Sequence, residues 1–365
     1  IYSQNSWYSR RDRSDSVPFL CNVNEISLNK QCKRYYNIQA GLFLWHQNCM
    51  TKAKGIMQKQ HWTWKEVRKA AIVFFLVLCV ISIPFYFIRE DGYSYVTICN
   101  EKKRVEAESK NTIDALFAGD SETWAAFVPL QLYHEQGFTS YNLATSGQWI
   151  GDSLEMIKGA LKTQTPKVLI LGANTMYESV PGKSYELAEY LPLFYYHEFF
   201  FSTTLGKGKI DKNKGANLSK VINAYTGSSD YMNKQTDLQT INETALQVLQ
   251  SIKQLCDEKG ILMIMVSAPS AKNWTEGKHL AIQQWCDEND VSFIDYNEQE
   301  KQQAIALDWS TDTRDKGDHV NITGSIKVCR DLGTYLNSLN LLQDHRSDSS
   351  YQKWEEDYES SQYYQ

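Results

Sequence analysis

Four short polar segments of the 365-residue chain carry groups that could do chemistry together. Gly119-Asp120-Ser121 offers a hydroxyl. Ser146-Gly147-Gln148 offers a glycine N–H, and Gly172-Ala173-Asn174 a side-chain amide. Gly317-Asp318-His319-Val320-Asn321 offers an imidazole. A serine becomes a nucleophile when a base removes its proton, and the tetrahedral oxyanion that follows needs hydrogen-bond donors. Ser121 is therefore the candidate nucleophile and His319 the candidate base. Gly147 and Asn174 are candidate donors.

The elements around these segments favour that grouping. The apolar run Ala115-Leu-Phe-Ala118 stops at Gly119, and Glu122-Thr-Trp-Ala-Ala-Phe127 can start a helix. A strand feeding a helix through Gly-Asp-Ser puts the Ser121 hydroxyl at the carboxyl end of a strand, where open α/β sheets bind ligands. The Ser121 amide would lie near a helix N-terminus, which favours negative charge. The same tripeptide recurs at Gly151-Asp152-Ser153. No apolar run precedes that copy, so Asp152 or Ser153 is expected to be a helix N-cap.

Strands are expected at 113–118, 140–144, 167–172, 261–268 and 291–295. Helices are expected after 121, from 154, and over 241–258, 276–287 and 322–339. This alternation implies a parallel sheet with helices on both faces. Gly147, Asn174 and His319 then fall on strand ends or on loops of the same edge as Ser121.

Hydrophobic residues make up 42% of the chain and charged residues 22%, enough for a packed core. The net charge of -5 argues against a nucleic-acid partner, which needs a basic surface. The eight cysteines form no C-x-x-C pair, and no histidine pair has metal-ligand spacing, so neither a metal nor another cofactor is expected. Cys256 and Cys286 each end a helical pattern before Asp-Glu and read as buried thiols. His134 and His279 read as surface residues on helices.

The stretch 70–88 is nearly all apolar and, at ~1.5 Å per residue, just crosses a ~30 Å hydrocarbon core. Lysines and arginines crowd its amino-terminal side, whereas Arg89, Glu90 and Asp91 follow it. The positive-inside rule places residues 1–69 in the cytoplasm and the rest outside a cell membrane crossed once. Residues 1–69 read as largely unstructured, with 1–56 either disordered or outside the native protein. Residues 89–112 read as a stalk, 113–341 as the α/β domain and 342–365 as a polar tail in which a packed helix competes with disorder. Within the domain, 180–240 breaks the pattern. Its aromatic part, including Tyr195, Tyr196 and His197, is a candidate substrate-binding segment or lid.

From about residue 110 to 341 the chain resembles the SGNH (GDSL-type) hydrolase superfamily. Gly119-Asp120-Ser121 matches its first block, Gly147 its second, Gly172-x-Asn174 its third and His319 its last. The resemblance implies a flavodoxin-like three-layer α/β/α fold with a central parallel sheet, here preceded by one transmembrane helix. It implies Ser121 as nucleophile, His319 as general base, and an oxyanion hole made of the Ser121 and Gly147 amides and the Asn174 side chain. The family places its acid three residues before the histidine, where this chain has Lys316. Asp315 is the favoured replacement, because the adjacent Asp318 tends to point away from its neighbour; Asp318 is the alternative. The anchor and the aromatic insertion resemble the membrane-bound subgroup near the teichoic-acid D-alanine transfer protein and alginate-type O-acetyltransferases. That subgroup implies a serine esterase or acyltransferase acting on O-acyl groups of a cell-envelope glycan or related polymer, beside a membrane-bound O-acyltransferase partner. The competing expectation is a non-catalytic accessory protein that uses the same fold to hold a polymer or that partner.

Overall fold

The computed structural model describes residues 63–88, 103–179 and 210–364. Five parallel strands form one sheet: β1 (Ala115–Ala118), β2 (Ser140–Asn142), β3 (Val168–Gly172), β4 (Leu262–Ser267) and β5 (Ser292–Asp295). Their spatial order is β2-β1-β3-β4-β5, the flavodoxin-like arrangement of a doubly wound sheet. Parallel strands covered on both faces read as continuous apolar runs, which is why β1, β3 and β4 stand out in the sequence, whereas β2 and β5 carry polar residues at both ends. Successive side chains then alternate between two cores. Leu116, Ala118, Leu169, Leu171, Met263 and Met265 point into one; Ala115, Phe117, Val168, Ile170, Ile264 and Val266 point into the other.

The first core is closed by α4 (Ile150–Ala160), α5 (Glu243–Lys259) and α6 (Glu276–Glu288). In α5, Ala245, Leu249, Ile252 and Cys256 recur every three or four residues and make the buried stripe. The second core is closed by α2 (Ser121–Ala126) and by α8 (Ile322–Ser338), which buries Val328, Cys329, Leu332 and Leu336. The helix α3 (Pro129–Gln136) feeds both cores, and the short α7 (Gln299–Ala304) has no buried residue. Cys256, Cys286 and Cys329 are buried free thiols whose pKa burial pushes up to about 12.

Elements outside the expected domain limits contribute to its packing. Val105 lies in the first core, and Glu108 is buried against Lys214, both of its oxygens 3.0 Å from Nζ. At the other end, residues 352–359 form α9, whose Trp354 joins the first core and lies 4.6 Å beneath the Lys214 ammonium. Three stretches remote in sequence therefore meet at one buried cation.

Residues 64–88 form a single helix, α1 (Trp64–Ile88). Phe74, Leu76 and Val80 are more than half exposed on it. Among the described residues no helix is long and apolar enough to cross a membrane, so the expected span finds no support in the structure. Residues 1–62, the segment 89–102, and the aromatic part of the insertion with Tyr195, Tyr196 and His197 lie outside the described residues.

The expected cap at the second Gly-Asp-Ser is corrected. Trp149 is the N-cap of α4, and Gly151, Asp152 and Ser153 occupy its first turn, all buried. Ser153 Oγ accepts a hydrogen bond from Gln148 Nε2 at 2.8 Å instead of capping the helix.

Candidate active site

The nucleophile candidate sits where β1 turns into α2. The turn is tight because two strand ends and a side chain converge: a methyl group on either Gly119 or Gly172 would collide with Thr123 Oγ1. Asp120 caps α2 by accepting the Glu122 N–H at 3.2 Å. Ser121 is the first residue of α2, so its own N–H has no carbonyl within the helix to bond. Beneath it, Asn142 at the end of β2 donates to the Thr123 and Phe127 carbonyls at 3.0 and 2.9 Å, which fixes α2 on the sheet.

His319 reaches this serine from the loop between Asp312 and α8. Its Nε2 lies 2.8 Å from Ser121 Oγ. Its Nδ1 lies 2.6 Å from Asp315 Oδ2, while Asp315 Oδ1 accepts the His319 backbone N–H at 2.7 Å. Burial would raise the pKa of Asp315, but hydrogen bonds from the His319 ring and backbone, with the nearby charges of His319 and Arg314, outweigh it and hold the carboxyl below its usual range. Asp318 is turned elsewhere, its Oδ1 accepting from Asn273 Nδ2 at 2.6 Å. Of the two acids open in the sequence, Asp315 is the one the structure brings to His319.

The one-residue displacement of that acid is absorbed by the loop. Thr313 and Val320 form an antiparallel bridge that closes it. Inside, Lys316 and Gly317 take positive φ, 66° and 85°. This left-handed pair curls the chain so that Asp315 folds back beneath the His319 N–H. A lysine in that region is strained. Thr313 Oγ1 offsets the strain by accepting from Gly317 N at 2.8 Å and donating to His319 O at 3.0 Å.

The donors come from the two neighbouring strand ends. Gly147 takes φ 62°, a left-handed turn that glycine adopts without steric cost, in the loop after β2. Gln148 holds that loop: its side chain bridges Thr145 and Ser153, each at 2.8 Å, and its carbonyl accepts from Thr175 Oγ1 at 2.6 Å. Asn174 follows β3 in a 3₁₀ turn (Ala173–Tyr177) and is buried. Its Nδ2 donates to Asp120 Oδ2 at 2.7 Å, and its Oδ1 accepts from Lys278 Nζ at 2.8 Å.

Sequence reasoning missed several residues around this centre. Glu122 is buried, one Oε accepting from Asn273 Nδ2 at 2.9 Å. Burial, then the charge of Asp120, pushes its pKa well above the usual carboxylate range. Burial also raises Asp120, against a hydrogen bond from Asn174. Asn273 ties the nucleophile helix to the histidine loop by donating to both Glu122 and Asp318. Lys278 comes from the first turn of α6. No periodicity or motif marks Asn273 or Lys278; Glu122 next to the serine was the only visible signal. His279, expected at the surface, is half-buried and pairs through Nδ1 with Asp295 at 2.8 Å. His134 is exposed and meets Glu355 at 2.6 Å. Asp315, Asp318 and His319 present ligand atoms within 4.8 Å of one another and are the described group that could gather round a cation.

No protein-family model and no curated protein matches the chain. Among solved structures it is similar to a GDSL-like lipase from Bacteroides thetaiotaomicron, at 12% identity and a TM-score of 0.36, over 66% of this chain and 99% of that one. It is also similar to the lipase/acylhydrolase from Enterococcus faecalis, at 10% identity and a TM-score of 0.34, over 64% and 100%. At these values the likeness carries nothing for the chemistry of this chain.

Proposed function

We propose that the chain is a serine esterase or O-acyltransferase of the SGNH type, with Ser121 as nucleophile, His319 as general base and Asp315 as the acid. The observation that carries this reading is the continuous line from Ser121 Oγ through both nitrogens of His319 to Asp315, at 2.8 and 2.6 Å. His319 Nε2 takes the proton as Ser121 Oγ attacks an acyl carbonyl carbon. The carbonyl π electrons move to oxygen, and the oxyanion is met by the Ser121 and Gly147 N–H groups and an Asn174 Nδ2 hydrogen. Collapse re-forms the carbonyl and breaks the ester C–O bond, and His319 returns its proton to the leaving alcohol. Asp315 holds the ring tautomer and steadies the imidazolium. Water or a second alcohol then takes the acyl group from Ser121 by the same steps in reverse.

The substrate class proposed is an O-acyl group, acetyl or similar, on a cell-envelope glycan or related polymer, with a membrane-bound acyltransferase as partner. This finer reading rests on the apolar stretch 70–88 and the exposed apolar side chains of α1, which we propose associate with a membrane. The proposed placement is a single pass, with the N-terminus cytoplasmic and the α/β domain outside.

Hydrolysis of p-nitrophenyl acetate, followed by acetate release from an O-acetylated oligosaccharide, tests the activity. Turnover abolished by Ser121→Ala is the expected result. No turnover on either ester would leave the accessory, non-catalytic reading in its place. Flotation of the full chain with liposomes, lost on deletion of 70–88, tests the membrane association.

A further inference from the structure

An oxyanion donor works only if its hydrogen already points at the place where charge develops. For a side-chain amide this is a problem of orientation, because the oxygen and the NH2 group are nearly the same size. Turned over, Asn174 would present a lone pair to the oxyanion and repel it.

Asp120 alone does not settle which way Asn174 faces. An ionised Asp120 accepts from Nδ2, but burial favours its protonated form, which could equally donate to Oδ1. The second neighbour, Lys278, breaks the tie. Its Nζ lies 2.8 Å from Asn174 Oδ1. An ammonium donates and never accepts, so the atom facing it is the amide oxygen. The NH2 group is then turned to Asp120, with one hydrogen on Oδ2 and the second left for the reaction.

Lys278 is itself firmly placed. Thr275 Oγ1 caps the turn that carries it by accepting the Lys278 N–H at 3.2 Å. Its ammonium lies 4.7 Å from the centre of the Tyr177 ring and 6.0 Å from that of Trp274. Burial lowers its pKa, while its acidic neighbours Glu122, Asp120 and Glu178 act to raise it. Tyr177 closes the 3₁₀ turn that holds Asn174, so the cation grips the same turn twice.

We propose that Lys278 is a positioning residue: through Asn174 Oδ1 it fixes the orientation of the amide and aims Nδ2 at the developing oxyanion. It rests on the esterase reading for the use of that hydrogen, and on the geometry alone for the fixed orientation. Lys278 binds no part of the substrate in this role, so its removal acts on kcat and leaves KM nearly unchanged.

The test compares p-nitrophenyl acetate kinetics for wild type, Lys278→Met, Lys278→Arg, Asn174→Ala and the Lys278→Met/Asn174→Ala double variant. Asn174→Ala is expected to lower kcat by ~10²–10³-fold, the usual loss for one oxyanion donor. Lys278→Met should lower kcat by about tenfold or more with KM within about twofold, and Lys278→Arg should recover most of it. The double variant should be no slower than Asn174→Ala, because both changes remove one function. Full additivity, or an unchanged kcat in Lys278→Met, overturns the proposal. A second readout needs no turnover: proton exchange of the Asn174 side-chain amide, followed by NMR. Exchange should quicken in Lys278→Met and not in Lys278→Arg, and equal rates in all three proteins overturn it. An inactive wild type with quickened exchange in Lys278→Met would refute the esterase reading and leave the positioning intact.

Discussion

Asp315 meets His319 through both of its oxygens: Oδ2 lies 2.6 Å from ring Nδ1, and Oδ1 accepts the backbone N–H of the same residue at 2.7 Å. Asp315 is thus held to His319, four residues downstream, at two points. Asp315→Asn keeps the size but removes the charge that fixes the tautomer, and kcat should fall by roughly 10³–10⁴-fold. Asp318→Asn should stay within about tenfold of wild type, since Asp318 faces Asn273. Steady-state kinetics of the two variants on one chromogenic ester separates them, and a larger loss in Asp318→Asn would reverse the assignment.

Glu122 sets a pH dependence of stability. Its folded pKa stands well above the ordinary 4.5, from burial and the nearby Asp120 charge. Above about pH 4.5 the unfolded chain loses this proton while the folded protein keeps it. The folded state then binds more protons, so stability falls as pH rises until the raised folded pKa is passed. Thermal unfolding from pH 5 to 8 should show Glu122→Gln losing less stability than wild type. Parallel curves for the two proteins would show that Glu122 keeps no extra proton on folding.

Lys214 is the cation on which three remote stretches meet, 2% exposed and bidentate on Glu108. Removing one partner of a buried pair leaves the other charge uncompensated, at a cost of about 3–5 kcal/mol. Lys214→Ala should destabilise the fold by that amount in urea unfolding. The Lys214→Met/Glu108→Leu double variant, which removes both charges of the pair and leaves the buried Asp357 to Lys353, should recover much of the loss. A Lys214→Ala loss below about 1 kcal/mol would show that the pair is not a structural tie.

The centre of the sheet was legible because β1, β3 and β4 are apolar almost throughout, whereas β2, Ser140-Tyr141-Asn142, carries no such run; each of the five expected strands contains an observed one. Three of the four polar segments were legible in the same way: those at Gly119 and Gly172 end an apolar run, and the one at His319 leads into α8 with Asn321 as its cap. The acid was less so. Its reach depends on the left-handed pair Lys316–Gly317, and a lysine does not advertise positive φ. The second Gly-Asp-Ser misled because an N-cap role was read from residue type, whereas Trp149 starts α4 and Ser153 is drawn to Gln148. Lys278, Asn273 and the buried state of Glu122 arise from contacts between residues far apart in sequence, 104 positions for Lys278 and Asn174 and 151 for Asn273 and Glu122, and no local pattern encodes them.

Ser121 is proposed as a nucleophile activated by His319. Incubation of the purified full chain with a fluorophosphonate, followed by peptide mass analysis, tests it most directly. One adduct on the Ser121 peptide is predicted, absent in Ser121→Ala and formed much more slowly in His319→Ala. A wild type that takes up no label, or a Ser121→Ala protein labelled as fast as wild type, would contradict it.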